Sequence, residues 1–158
     1  MRDEKWLNDK LQFLLNKYFA NVKISDSIEI HWGREAKYRF GSIRMVKPKN
    51  FRLHLRGVRS FSPRRWKPVQ PKKSIITITS MFKSLRIPVS VVEYTICHEL
   101  THYAHGFSSS NKRLFRHPHH GGVVNAELTE RGARDLIGAF KKWLKEYRKM
   151  ILSRRTQV

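Results

Sequence analysis

Residues 98 to 102 read His98-Glu99-Leu100-Thr101-His102. On a helix, two histidines four apart stand one above the other on one face. Two imidazoles so placed can share one Zn²⁺, and a glutamate beside the first can reach water held by that ion. The chemistry this suggests is metal-assisted hydrolysis, with Glu99 as the base that takes a proton from water.

The surroundings predict the helix. Pro88 precedes it, Ser90 is placed to cap it, and Gly106 with Ser108-Ser109-Ser110 ends it. Val92, Ile96, Leu100 and Tyr103 recur at helical spacing and form an apolar stripe. At about 100° per residue, His98 lies about 200° from Ile96 and from Leu100, so the imidazole face and the core face are nearly opposite.

A catalytic zinc site needs a third protein ligand and leaves its fourth position to water. His105, His117, His119, His120, Glu127 and Glu130 are the residues of suitable type downstream. His105 lies a further turn along the helix and would need distortion to join. The His117-Pro118-His119-His120-Gly121-Gly122 cluster follows a polar loop that can fold back, and its glycines allow close backbone approach.

The chain has 158 residues, 40% of them hydrophobic, which suits a single domain spanning 1–158. No apolar run approaches bilayer-spanning length, and the start lacks the apolar segment of a signal peptide. The expected location is therefore intracellular, cytoplasmic or nucleoid-associated, with no membrane partner. The one cysteine, Cys97, excludes an internal disulfide framework and a four-cysteine zinc ribbon, and reads as a buried structural thiol.

The net charge is +21. From Ala36 to Val92 there is no acidic residue, while cations are interleaved with Tyr38, Phe40, Phe51, Phe61 and Trp66. Such a field attracts polyanions, and rings among cations suit stacking on single strands. Nucleic acid, single-stranded or duplex, is the expected partner. The residues expected to meet it are Arg39, Arg44, Arg52, Arg56, Arg64, Arg65, Trp66 and Lys67.

The elements that must position these groups read as α+β. Residues 4 to 19 predict an amphipathic N-terminal helix. Residues 27–32, 37–46 and 50–56 alternate as neighbouring strands of an antiparallel or mixed sheet with one cationic face. Residues 57–73 form a basic, proline-containing loop, and 74–80, β-branched almost throughout, is the strongest strand. A helical turn near Met81 leads to the histidine helix. A long C-terminal helix runs from about Asn125 or Glu130 to Ile151, weakened at Gly132 and Gly138, and residues 152–158 fray.

The run from Pro88 to His102 resembles the active helix of the SprT-like zinc metallopeptidases, which include the Spartan-type proteases that act on DNA–protein crosslinks. The isoleucine-rich strand before it, Phe40-Gly41-Ser42 upstream and His120-Gly121 downstream are similar to that family as well. Val123 and Val124 stand where the family usually has an aromatic residue. The resemblance implies a zincin-like fold, a Zn²⁺ cofactor held by His98, His102 and His120, and Glu99 as the catalytic base. It also implies a DNA-binding protease of DNA-bound or DNA-crosslinked proteins; a monomer is expected. His119 is the nearest rival to His120. Two other readings compete. One is a small gluzincin-like peptidase with Glu127 or Glu130 as third ligand, since Glu130-Arg131-Gly132-Ala133 resembles that group's string. The other is a non-enzymatic nucleic-acid-binding module whose zinc is closed by four protein ligands.

Overall fold

The structure, a computed structural model, describes residues 1–46 and 72–155. Four helices and a three-stranded mixed sheet make an α+β fold. Helix α1 (Glu4–Tyr18) begins where the Asp3 carboxylate accepts a hydrogen bond from the Trp6 amide, a cap that stabilises by about 1 kcal/mol. Leu7, Leu11, Leu14 and Tyr18 recur at helical spacing and are the residues it buries.

The strands are β1 (Ser27–Trp32), β2 (Gly41–Val46) and β3 (Lys73–Ile78). Their order is β1-β3-β2, so β1 and β2, successive in sequence, are not neighbours. Strand β3 runs parallel to β1 and antiparallel to β2. The expected antiparallel run of adjacent strands is thus corrected: the β-branched segment, apolar enough to be covered by a strand on each side, takes the centre. The register aligns Ile30, Ile76 and Ile43 in one row across the sheet. Ile30 and Ile76 are fully buried there. Residues 37–40, expected to open the second strand, precede it, and β2 starts at Gly41. The strand expected at 50–56 and the loop at 57–71 lie outside the described residues, and Lys73, assigned to that loop, opens β3.

A 3₁₀ turn at Ser80–Lys83 leads to helix α2 (Val89–Ala104). Arg2 fixes this approach. Its buried guanidinium donates to the carbonyls of Phe82 (2.7 Å), Ser84 (2.9 Å) and Ile87 (2.6 Å), so the chain start is pinned to the segment entering the histidine helix. The N-cap of α2 is Pro88, and Ser90 makes no capping bond, against expectation. Proline suits that position because its φ is preset and it has no amide hydrogen to satisfy. Helix α2 is buried on most of its circumference. Its two threonine hydroxyls are satisfied within the helix: Thr95 donates to the Val91 carbonyl and Thr101 to that of Cys97, each at 2.9 Å.

The single C-terminal helix expected from the sequence is two: α3 (Val123–Glu130) and α4 (Arg134–Arg155). Gly132, at φ +82°, makes the break. Helix α4 continues past residue 152, where fraying was expected, and packs an aromatic group against the rest. In that group Phe40 meets Phe82 (5.5 Å between ring centroids), Phe140 (6.1 Å) and Trp143 (5.3 Å). No helix among the described residues is long and apolar enough to cross a membrane.

Candidate metal centre

Helix α2 carries His98, Glu99 and His102 along the wall of a cleft. Its apolar stripe works as expected: Val92, Ile96, Leu100 and Tyr103 are all buried. The opposite side of the cleft is β2, at the edge of the sheet among the described residues. Gly41 is the point of closest approach. A Cβ built there would lie 2.7 Å from Glu99 Oε1 and 2.8 Å from Thr95 Cγ2. Gly41 does not have a positive φ. Space, not backbone conformation, therefore requires glycine.

The third wall comes from the segment between α2 and α3. It is tied down by a set of hydrogen bonds. The Asp26 carboxylate accepts from the Ser110 amide at 2.6 Å, and the Tyr103 hydroxyl accepts from the Ser25 and Asp26 amides at 3.1 Å. Ser109 donates to the Tyr103 carbonyl, and Ser74 to that of Ser108, each at 2.8 Å. These bonds tie residues 108–111 to the strand entrances and to the end of α2. The same segment goes on to deliver Pro118 and His119 to the cleft.

The residue delivered is His119, not His120. The ring of His119 lies 5.3 Å from that of His98 and 4.6 Å from that of His102, which are 4.7 Å from each other. One ligating atom from each of the three lies within 4.8 Å of the others. His120 is exposed, and its ring is 6.4 Å from His117 instead. The cause is local. A 3₁₀ turn starts at His120, and Gly121 and Gly122 take positive φ (66° and 72°), turning the chain into α3. His119, at the cap of that turn, is left against α2.

The glutamate candidates are engaged elsewhere. Glu127 accepts from Arg131 Nε at 2.8 Å and stands 3.6 Å from His105 Nε2. Glu130 is exposed near the end of α3. His105 is almost fully buried, packed against Phe115 (4.7 Å), and is outside the three-ring group. Its position one turn on from His102 accounts for that.

The three imidazoles could together hold a metal ion. Burial, reinforced by the positive charge its neighbours would carry, lowers the His98 pKa to about 3. The same causes lower that of His102 to about 4. Both rings are neutral at pH 7, with lone pairs free for ligation. Their Nδ1 atoms are buried with no hydrogen-bond partner. Leaving such a group unmatched costs about 1–3 kcal/mol.

Glu99 is buried, and burial raises its carboxyl pKa to about 7 against a weaker opposing influence of Arg39. A carboxyl poised near neutrality is suited to accept and return a proton. The cleft these groups line measures about 410 Å³ and also includes Arg39, Ser42, Phe107 and Ser108.

Of the residues expected to meet DNA, Arg39 lines this cleft and Arg44 projects from β2 into solvent. Arg52, Arg56, Arg64, Arg65, Trp66 and Lys67 lie outside the described residues. Phe40 is core, while Tyr38 is exposed. Cys97 is buried and its thiol pKa is pushed up by that burial. Sequence reasoning missed the part played by Gly41 as a spacer. The signals were a glycine inside the alternating segment 37–46 and its place in the Phe40-Gly41-Ser42 resemblance, neither of which gave a spacing role. No family model matches the chain, and no curated protein or solved structure matches it either.

Proposed function

We propose that the protein is a zinc-dependent peptidase of the SprT-like type whose basic surface holds it on DNA and directs it to DNA-bound proteins. The observation that carries the hydrolase reading is the convergence of three imidazoles and one buried carboxyl on a single open cleft. Supporting it, β2 is the edge of the sheet among the described residues and lies beside that cleft, where an extended peptide could run along it.

A bound zinc ion supplies Lewis acidity for the substrate carbonyl and for the attacking water. His98 and His102 hold it from one helical face and His119 from the returning segment. Glu99, one helical position from His98, accepts the proton of the water at its carboxylate and hands it to the leaving amine nitrogen. Gly41 keeps the space over that carboxylate open. The gluzincin alternative has no carboxylate among the three converging groups.

The DNA part of the proposal rests on charge. The total is +21, and Lys141, Lys142, Lys145, Arg148 and Lys149 lie exposed along α4. Phosphate neutralisation by such a surface gives affinity without sequence readout. The test is digestion of a basic DNA-binding protein by the zinc-loaded chain, with and without single- and double-stranded DNA, beside Glu99→Gln. We expect Glu99-dependent cleavage that DNA accelerates. Full cleavage by Glu99→Gln refutes the hydrolase assignment, and equal rates with and without DNA refute the nucleic-acid role.

A further inference from the structure

A second cavity of about 230 Å³ opens beside the metal centre. It shares Arg39, Gly41, His98 and Glu99 with the larger cleft but includes neither His102 nor His119. It therefore lies on the upstream side of Glu99, one helical turn back towards Tyr94 and Thr95. Its walls are rings. Tyr94 stacks on Phe140 at 4.2 Å, and Phe40 and Tyr38 complete the enclosure.

The polar atoms of these walls are already bound elsewhere. The Tyr94 hydroxyl donates to Asn125 Oδ1 at 2.9 Å. The Thr95 hydroxyl donates to the Val91 carbonyl, and its methyl is the group nearest Gly41. What remains to face the cavity is mostly ring surface, with Arg39, His98 and Glu99 along the side shared with the larger cleft. Arg39 sits at the shared threshold and disfavours a cation there. The volume is below the 300–1,000 Å³ typical of sites for whole small molecules and fits one side chain. Gly41 supplies the connection: its missing Cβ would otherwise stand between Glu99 and Thr95, at the junction of the two cavities.

From this arrangement we infer that the second cavity seats an apolar side chain, of leucine or phenylalanine size, from the substrate residue adjoining the scissile bond. The inference rests on the peptidase reading above and adds a side-chain preference to it. A peptide lying along β2 with its carbonyl at the metal centre passes over Gly41, and a neighbouring side chain drops into the ring-lined cavity. Selection then comes from burial of that side chain, which discriminates strongly between large and small apolar groups.

The experiment uses the zinc-loaded full chain and Gly/Ser-rich peptides carrying one variable residue: Phe, Leu, Ala, Lys or Glu. Cleavage sites are mapped by mass spectrometry and kcat/KM is measured. Binding of the same peptides to Glu99→Gln is followed by fluorescence anisotropy. We expect cleavage next to Phe or Leu with kcat/KM about tenfold or more above Ala, Lys and Glu. The binding rank should be the same. Tyr38→Ala removes an exposed wall, since Tyr38 is 69% exposed, without disturbing the core. It should raise KM for the Phe peptide several-fold with little change in kcat, and leave the Ala peptide unaffected.

Equal kcat/KM across the five peptides, or a preference for Lys or Glu, overturns the cavity assignment and leaves the hydrolase standing. Ranked binding to Glu99→Gln without any Glu99-dependent cleavage by the wild type overturns the hydrolase, and with it the cavity's role beside a scissile bond.

Discussion

Glu99 should impose a pH dependence on folding that its amide analogue lacks. Burial raises its pKa from 4.5 to about 7 in the folded chain. Between those values the folded protein holds a proton that the unfolded chain releases, so the stability from the raised pKa is full below pH 4.5 and lost as pH rises through about 7. The shift is 7 minus 4.5, and at 1.36 kcal/mol per unit it corresponds to roughly 3 kcal/mol. His98 and His102 act in the opposite sense. Their folded pKa values, about 3 and about 4, lie below the usual 6.5. They add stability that is present above pH 6.5 and lost as pH falls towards those values.

Comparison with Glu99→Gln separates the two effects. Both proteins retain both rings, and above pH 4.5 the folded-state rings are neutral in each, so their contribution cancels in the difference. The assay is urea unfolding of metal-stripped wild type and Glu99→Gln from pH 4.5 to 8. The stability of the variant minus that of the wild type should grow by roughly 3 kcal/mol across this range, most of it between pH 5 and 7. A difference that stays constant with pH would refute the reasoning, because it would mean that the carboxylate ionises without being desolvated.

His119→Ala should lower zinc affinity by orders of magnitude in a calorimetric titration, whereas His120→Ala should bind like the wild type; the reverse pattern would restore His120 as the ligand. Gly41→Ala places a Cβ against Glu99 Oε1 and Thr95 Cγ2, so it should cost about 1–3 kcal/mol in chemical denaturation and reduce hydrolysis as the carboxylate is displaced. DNA affinity, measured by anisotropy against salt concentration, should fall linearly on log–log axes with a slope of several units; a flat response would remove phosphate neutralisation from the account. Cys97 should react with a thiol reagent only after unfolding, because its thiol is buried and its pKa raised.

Helices were legible where an apolar period met a clear boundary. The Leu7, Leu11, Leu14 and Tyr18 spacing fixed α1 to within a residue, and the Val92, Ile96, Leu100 and Tyr103 stripe placed His98 and His102 on the side away from the core. Sheet order was not legible. Alternation in β1 and β2 says which residues share a face but not which strand lies between them. That was decided by β3, whose Ser74, Ile76 and Ile78 are all buried. The closing arrangement of helices was also misread, because Gly132 inside an otherwise continuous helical period can either weaken a helix or end it, and here it ends one.

The third histidine of the candidate group shows where one-dimensional reasoning stops. His119 and His120 are identical in type and adjacent, so composition and spacing treat them alike, and the choice of His120 came from its His-Gly context. In three dimensions that context works the other way. The glycines after His120 adopt left-handed conformations that swing the chain into α3, and a 3₁₀ turn begins at His120 itself. The ring that ends against α2 belongs to the residue just before the turn. The reach of His119 is set further upstream, by Asp26, Ser74 and Tyr103 holding residues 108–111. Asp26 and Ser74 lie far in sequence from the histidine they help to position. Their side chains are ordinary polar residues, with nothing in their types or spacing to mark them as parts of a metal centre.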